Sequence, residues 1–144
     1  MKILQLLFVS ILFAACNVSP EPINYGIDSC HYCNMTIVDK QHAAQLVTSK
    51  GRAYKYDAIE CMVHSLQDEF KSTDMAYKMV ANFNNPGELV NASEASYLVS
   101  ENLQSPMGAN LSAFKNAEVS KNAQEKFTGT IYNWEKLQQH LKLP

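Results

Sequence analysis

The sequence predicts an α+β protein in which two tandem ββαβ units follow a lipoprotein signal peptide and a short tether. Three observations support this prediction. An apolar opening run ends at a cysteine, apolar residues later follow strand and helix spacings in turn, and the same order of elements occurs twice. The expected ranges are 1–15 for the signal peptide, 16–25 for the lipidated N-terminus and tether, 26–87 for the first unit and 88–144 for the second.

The opening residues predict export and lipidation. A single positive charge, Lys2, precedes an apolar run that ends in Leu12-Phe13-Ala14-Ala15-Cys16, with small residues directly before the cysteine. At about 1.5 Å per residue, a helix over this run is too short for a hydrocarbon core about 30 Å thick. Cys16 is therefore expected to become the lipidated first residue of a bacterial lipoprotein in the cell envelope. An ordinary secreted protein cleaved before Cys16 is the alternative.

The residues after the cysteine, and the charge of the chain, limit the remaining possibilities. Pro20 and Pro22 favour an extended tether over a strand. About 120 residues then remain, enough for one compact domain or two small fused units. The formal net charge is −2 and the lysines are scattered. No basic stripe indicates nucleic-acid binding.

The first predicted unit contains three strands and a helix. β-Compatible runs at 42–48 and 52–56 flank a Ser-Lys-Gly hairpin signal. Asp57 is expected to cap the following helix, with Glu60 completing a capping box. The apolar stripe of this helix is Ile59, Met62, Val63, Leu66 and Phe70. An alternating strand at 75–82 follows before Asn84-Asn85-Pro86-Gly87 breaks the chain.

The second predicted unit repeats that order and adds a helix. Strands are expected at 96–100 and 110–114, and Asn116 is expected to cap a helix. A short strand at 129–132 follows, and Asn133 is expected to cap the last helix. The apolar positions of the two helices are Val119, Ala123 and Phe127, then Trp134, Leu137 and Leu141.

The cysteine count points to a metal site. Of the four cysteines, Cys16 is assigned to lipidation, which leaves Cys30, Cys33 and Cys61. An odd number of thiols in an oxidising compartment cannot be closed completely into intramolecular disulfides. Metal binding gives a physical reason for retaining three thiols there.

Two separate segments supply the predicted sulfur ligands. Cys30-His31-Tyr32-Cys33-Asn34-Met35 places two thiols and one thioether within six residues. At about 100° per residue, Cys61 projects almost opposite the apolar stripe of its helix, so it is expected on the solvent side. It also lies near the helix start, where the helix dipole favours a thiolate.

Further candidates are less sharply defined by their positions. His64 lies on the same helix side as Cys61, whereas Met62 falls on the apolar stripe and is expected to pack. Met107 lies in a turn between a proline and a glycine, where packing and metal ligation are equally compatible with the sequence. His42, without a partner at ligand spacing, is expected on the surface.

Three chemistries remain open on the residues alone. Zinc would be satisfied by Cys30, Cys33, Cys61 and His64 in a closed tetrahedron, as in a zinc-stabilised interaction module. Copper(I) accepts thiolates and thioethers, and so also gives a role to Met35 and Met107. A thiol–disulfide oxidoreductase would use Cys30 and Cys33 but leaves Cys61 without a role. No carboxylate pair or Ser-His-Asp pattern indicates a hydrolytic enzyme, so a non-enzymatic role is expected.

Several sequence blocks, in order along the chain, resemble the NosL family of lipoprotein copper chaperones associated with nitrous oxide reductase. They are the lipobox cysteine, Cys30-x-x-Cys33-x-Met35, Ala43-Ala44-Gln45, Tyr56-Asp57-x-Ile59-x-Cys61-Met62, and Ser105-Pro106-Met107-Gly108 with Ala113-Phe114. The family is known for two ββαβ units.

The resemblance implies copper(I) binding in the periplasm and delivery to apo nitrous oxide reductase, with other copper-handling envelope proteins as further partners. Its implied ligands are the sulfurs of Cys30, Cys33, Met35, Cys61 and Met107. Many relatives have a histidine soon after the Pro-Met-Gly turn, where this chain has Ala-Asn. If that histidine is a ligand elsewhere, His64 or His31 would substitute for it, or the site is all sulfur.

Overall fold

The computed structural model describes residues 17–142, so the predicted signal peptide and Cys16 lie outside it. The chain forms seven strands and three helices within that range. In order they are β1 Ala44–Thr48, β2 Ala53–Tyr56, α1 Ile59–Gln67, β3 Met75–Ala81, β4 Leu89–Asn91, β5 Ser96–Val99, β6 Leu111–Phe114, α2 Ala117–Phe127, β7 Thr130–Tyr132 and α3 Trp134–His140. The described helices include none that is both long and apolar enough to cross a membrane.

The strands form two small antiparallel sheets, which confirms the predicted α+β class. The first sheet has the order β2-β1-β3-β4, and the second has the order β6-β5-β7. In the first sheet β1 lies between β2 and β3, with Gln45 opposite both Lys55 and Met79. All five residues of β1 are buried, because this strand has neighbours on both edges and α1 packs against it.

Strand β4 is an element that the periodicity did not reveal. Its three residues lie in the range predicted for the second unit, yet they pair with β3, with Val90 opposite Val80. A three-residue strand is too short to show an alternating pattern. The first sheet therefore takes its fourth strand from beyond the Asn-Asn-Pro-Gly break.

The two sheets share one hydrophobic core. Leu46 of β1 belongs to the same buried cluster as Tyr97 of β5 and Trp134 and Leu137 of α3. A parallel bridge between Asn82 and Ala113 also connects the chain after β3 to β6. The halves of the chain are consequently packed against each other rather than joined only by a linker.

His42 contributes to this junction, and the expectation that it lies on the surface is wrong. Its ring is 3% exposed, with Nδ1 2.9 Å from a carboxylate oxygen of Asp39 and Nε2 3.1 Å from Oγ of Ser112. Because Ser112 is completely buried, a substrate has no access to this Asp-His-Ser arrangement. The histidine instead links the loop before β1 to β6.

The start of α1 also differs from the prediction. The residue at the N-cap is Ala58, and no side chain caps the helix. Asp57 and Glu60 are each only 3% exposed and make contacts elsewhere. The predicted capping box is therefore wrong, because tertiary partners compete for both carboxylates. By contrast, Asn116 and Asn133 accept hydrogen bonds from Val119 N and Lys136 N, as predicted for the caps of α2 and α3.

Candidate metal centre

The Cys-x-x-Cys segment forms a closed turn. An isolated bridge between Ser29 and Thr36 closes its base. Inside it, Cys30 N donates to Met35 O at 2.8 Å and Asn34 N donates to Cys30 O at 2.9 Å. Asn34 has a φ of 63°, in the left-handed region that asparagine tolerates better than most residues. The turn thereby fixes the positions of the two cysteines relative to each other.

The junction between β2 and α1 supplies the other half of the site. Asp57 follows β2, and Cys61 lies in the first turn of α1. The turn is attached to β2 because His31 N donates to Lys55 O at 2.8 Å. Cys33 Sγ then donates to Asp57 Oδ1 at 3.4 Å. Two segments that are far apart in sequence therefore meet at the end of the first sheet.

Four potential ligand atoms converge at this point. The sulfurs of Cys30, Cys33 and Cys61 and one carboxylate oxygen of Asp57 all lie within 4.8 Å of one another. All three described cysteines are free thiols. Metal–sulfur bonds of about 2.3 Å would place two ligands on opposite sides of an ion about 4.6 Å apart. The cluster is consequently close to the size that one metal ion requires.

The predicted solvent position of Cys61 is wrong, since its side chain is only 1% exposed. The helical-wheel argument assumed that one face of α1 packs and the other faces solvent. In the structure the first turns of α1 are buried on both sides, with Ile59 and Met62 towards the core and Cys61 facing the other two cysteines. Burial of Cys61 therefore comes from the site itself.

The thiols have unequal affinities for protons. Cys61 donates a hydrogen bond to the sulfur of Cys30, and this is the main reason that the pKa of Cys30 falls to about 6. Burial raises the pKa of Cys33 to about 11. The pKa of Cys61 is also raised, chiefly because it donates to Cys30. At neutral pH the metal-free site thus holds one thiolate and two thiols, and a metal that binds all three sulfurs must displace two protons.

Asp57 is the member of the cluster that sequence reasoning assigned to another role. No spacing signal marked it, because Asp57 lies before the N-cap of α1 and its contact with Cys33 joins segments that are far apart in sequence. Asp57 accepts the hydrogen bond of Cys33 and presents an oxygen atom that a harder metal such as zinc can bind.

Glu60 connects a third segment to the site. Its Oε1 accepts hydrogen bonds from Ser105 Oγ at 2.8 Å and from Ala109 N at 3.2 Å. These contacts hold the Ser-Pro-Met-Gly loop against the first turn of α1, next in sequence to Cys61. The side chain of Met107 in this loop is 41% exposed. Sequence reasoning missed this link, since Glu60 was assigned to the capping box.

Of the remaining candidate ligands, neither histidine belongs to the cluster. Met35 is 52% exposed at the turn, whereas Met62 is completely buried in the core. His31 Nε2 lies 2.8 Å from a carboxylate oxygen of Glu69, and the ring of His64 lies 5.6 Å from that of Tyr32. The fourth member of the cluster is accordingly Asp57, in place of the His64 required by the zinc tetrahedron considered from sequence.

Comparison with known proteins identifies the fold and the family of the chain. In a structural comparison, the chain resembles the crystal structure of the copper chaperone NosL from Shewanella denitrificans, with a TM-score of 0.73 and 17% sequence identity. The similarity covers 85% of this chain and 98% of that one. Among curated proteins, none matches the chain. The sequence profile described as NosL matches residues 25–142. Because this match includes both sheets and the whole cysteine cluster, the chain belongs to the NosL family.

Proposed function

We propose that this protein is a lipid-anchored copper(I) chaperone that delivers copper to apo nitrous oxide reductase in the periplasm. The observation that carries the proposal is the convergence of three free cysteine sulfurs in one cluster. Copper(I) is a soft ion that binds thiolates and thioethers. The family membership of the chain supports this metal and this partner. Cys16 is the proposed site of the lipid anchor.

The proposed ligands are Cys30, Cys33 and Cys61, with thioethers from Met35 and Met107. The two methionines are partly exposed and belong to the loops that border the cysteine cluster. A thioether is neutral and is held less tightly than a thiolate, so it is the ligand that an incoming group displaces first. Copper would then pass to the partner by ligand exchange, with a new bond formed before the last old one breaks.

The surface around the site supports a transfer role. Six large apolar side chains are exposed among the described residues, and five of them lie between 27 and 38 or in the Met107 loop. These five are Ile27, Tyr32, Met35, Val38 and Met107. Exposed apolar residues concentrated on one part of a surface are typical of an interaction site. We propose that the copper-receiving protein covers these side chains and excludes water during transfer.

A competition titration tests this proposal. Copper(I) is added to the lipid-free protein in the presence of a chromophoric chelator, and the affinity is compared among variants. Cys61→Ser is expected to lower the affinity more than Met107→Ala, because a thiolate binds copper(I) more strongly than a thioether. Met79→Leu is the matched control, since this half-buried methionine lies on β3 in the sheet and the exchange nearly conserves volume.

Two results would overturn the ligand assignment. An unchanged affinity in the Cys61→Ser, Met107→Ala double variant would exclude these ligands. An equal loss in the Met79→Leu control would assign the effect to general destabilisation. The partner is tested separately by mixing the copper-loaded protein with apo nitrous oxide reductase and measuring recovered reductase activity. Free copper at the same concentration is the comparison.

Zinc is the second candidate, because Asp57 adds an oxygen to the three sulfurs. Such a set has the four ligands that zinc prefers. In that case Asp57→Asn is expected to weaken zinc binding strongly. For a sulfur-bound copper(I) ion the same substitution is expected to change the affinity much less. Metal analysis of the protein purified from its native compartment decides which ion it carries.

A further inference from the structure

The segment that follows Cys16 does not extend freely from the domain. Glu21 N donates to Gln45 Oε1 at 2.8 Å, and Gln45 Nε2 donates to Glu21 O at 2.8 Å. Gln45 is a completely buried residue and the second of the five in β1. The pair of hydrogen bonds resembles one step of a strand pairing, although it is made by a side chain. Ile23, two residues later, packs against the main core.

The beginning of this segment lies at the turn between β1 and β2. Val18 Cγ2 is 3.7 Å from the position that a Cβ atom would occupy on Gly51. The turn itself is closed by Gly51 N donating to Thr48 O at 2.8 Å. The described chain therefore begins at this turn.

From the turn, the segment runs along the sheet towards the metal centre. Val18 is beside residue 51, Glu21 is beside Gln45, and Asp28 accepts a hydrogen bond from Lys55 Nζ at 2.7 Å. β2 runs in the same direction and ends next to Asp57. Asp57 is six residue steps beyond Gly51, which corresponds to at most about 20 Å at 3.3 Å per residue. Val18 and the cysteine cluster thus lie at opposite ends of β2.

We propose that the docked segment orients the protein on the membrane, with the β1–β2 turn facing the lipid surface and the cysteine cluster facing away from it. This inference rests on the proposed lipid anchor at Cys16, which precedes Val18 by two residues in the sequence. The partner of this turn in the proposal is the headgroup layer of the membrane. Lys50 and Arg52 are exposed there and can approach lipid phosphates, while Asp74 is bound to Ser49 through its carboxylate at 2.5 Å. The outward end then carries the exposed apolar residues of the transfer surface.

The orientation is tested on full-length protein purified from membranes and placed in lipid nanodiscs. Mass spectrometry first establishes whether Cys16 carries lipid. Gadolinium attached to lipid headgroups then broadens the NMR signals of nearby amides. We expect loss of the signals of residues 49–52, with retention of those of 30–35 and 57–61. The copper-free or copper(I) form is used, because neither is paramagnetic.

Two changes to the protein test the cause of the orientation. An insertion of about ten Gly-Ser residues between Asn17 and Val18 gives a flexible linker. It is expected to abolish the difference in signal broadening between the two ends. Gln45→Ala removes both hydrogen bonds to Glu21 and is expected to do the same. Gln41→Ala is the matched control, since its amide donates elsewhere, to Phe83 O at 2.9 Å.

The outcomes separate this inference from the proposed function. Lipidated protein with equal broadening at both ends, or with stronger broadening at 30–35, overturns the orientation and leaves the anchor intact. A contrast that survives both the insertion and Gln45→Ala shows that the docked segment does not cause it, and overturns the proposal as well. A measured mass that shows no lipid on Cys16 overturns the proposed anchor, and the orientation with it.

Discussion

The three cysteines differ in chemical state although they share one site. Cys30 is the thiolate because Cys61 donates a hydrogen bond to it. Cys33 stays protonated because it is desolvated, and its hydrogen atom points to Asp57. A pre-existing thiolate would give the proposed copper(I) ion one strong first ligand. The other two sulfurs can then bind as their protons leave.

The unequal pKa values predict a specific titration of the metal-free protein. Thiolate absorbance in the ultraviolet is expected to appear with a midpoint near pH 6, corresponding to one thiolate per chain. Cys61→Ala removes the hydrogen-bond donor, so the midpoint is expected to move up towards the ordinary cysteine value of 9.0. Met79→Leu should leave it unchanged. A wild-type midpoint at the ordinary value would contradict the assigned hydrogen bond.

The same shift has a consequence for stability. Because the pKa of Cys30 is lower in the folded than in the unfolded chain, its contribution to the free energy of unfolding is complete above pH 9 and is lost as the pH falls through about 6. The difference in unfolding free energy between wild type and Cys30→Ser is therefore expected to shrink over that window. Denaturant titrations at several pH values measure it. A difference that grows as the pH falls would have the wrong sign.

At the scale of the elements, Glu60 is the contact that brings the Met107 loop to α1. Glu60→Ala is expected to lower the free energy of unfolding by about 1–3 kcal/mol, because it leaves the buried hydroxyl of Ser105 and the amide of Ala109 unpaired. Ser105→Ala removes only one partner and should cost less. Chemical denaturation of the metal-free protein measures both.

The control for this experiment is Glu125→Ala, an exposed glutamate on α2. A surface change of that kind is expected to stay within about 0.5 kcal/mol. If Glu60→Ala were equally mild, the Glu60 contacts would not contribute to stability. If Glu60→Ala also weakens copper(I) binding while Ser105→Ala weakens it less, the loop position and metal affinity are linked.

The regular elements were predictable because their signals are local. The asparagine caps of α2 and α3 depend on residues three apart, and the structure confirms them. The predicted stripe of α1 is confirmed only in part, since Leu66 is half-buried, Phe70 lies beyond the end of the helix, and Cys61 on the other side is buried too. Strand β4 was not predictable, since three residues carry no periodicity. Asp57 and Glu60 looked like cap residues because only tertiary partners, Cys33 and Ser105, reveal their actual contacts.

The sequence allowed the cysteines of the site to be predicted, but not the residues that surround them. The odd number of thiols selected Cys30, Cys33 and Cys61, which the structure brings together. The burial of Cys61 could not be read from its own helix, because the atoms that cover it come from a turn about thirty residues earlier. Contacts over such separations leave no spacing pattern in the sequence.

At the scale of the whole molecule, the two sheets depend on each other. Leu46 from the first and Tyr97 from the second share one core with Trp134, and His42 reaches Ser112 across the junction. We therefore expect a single cooperative unfolding transition, with equal calorimetric and van't Hoff enthalpies. Differential scanning calorimetry of the metal-free protein measures this. Two resolved transitions would show that the sheets unfold as separate units.

The proposed functions also divide between two ends of the molecule. The N-terminal segment is held beside the β1–β2 turn, and the cysteine cluster lies where β2 ends. A chaperone with this arrangement would present copper away from the membrane while remaining confined to its surface. The exposed apolar side chains around the site would then face soluble proteins of the periplasm rather than lipid.

We propose above all that this protein binds copper(I) through sulfur. X-ray absorption of the copper(I)-loaded protein tests it most directly, because the spectrum reports the elements bound to the metal. We predict sulfur neighbours only, with cysteine contributing most of them and with fewer sulfurs in the Cys61→Ser variant. Nitrogen or oxygen neighbours in the wild type, or an unchanged sulfur count in Cys61→Ser, would contradict the claim.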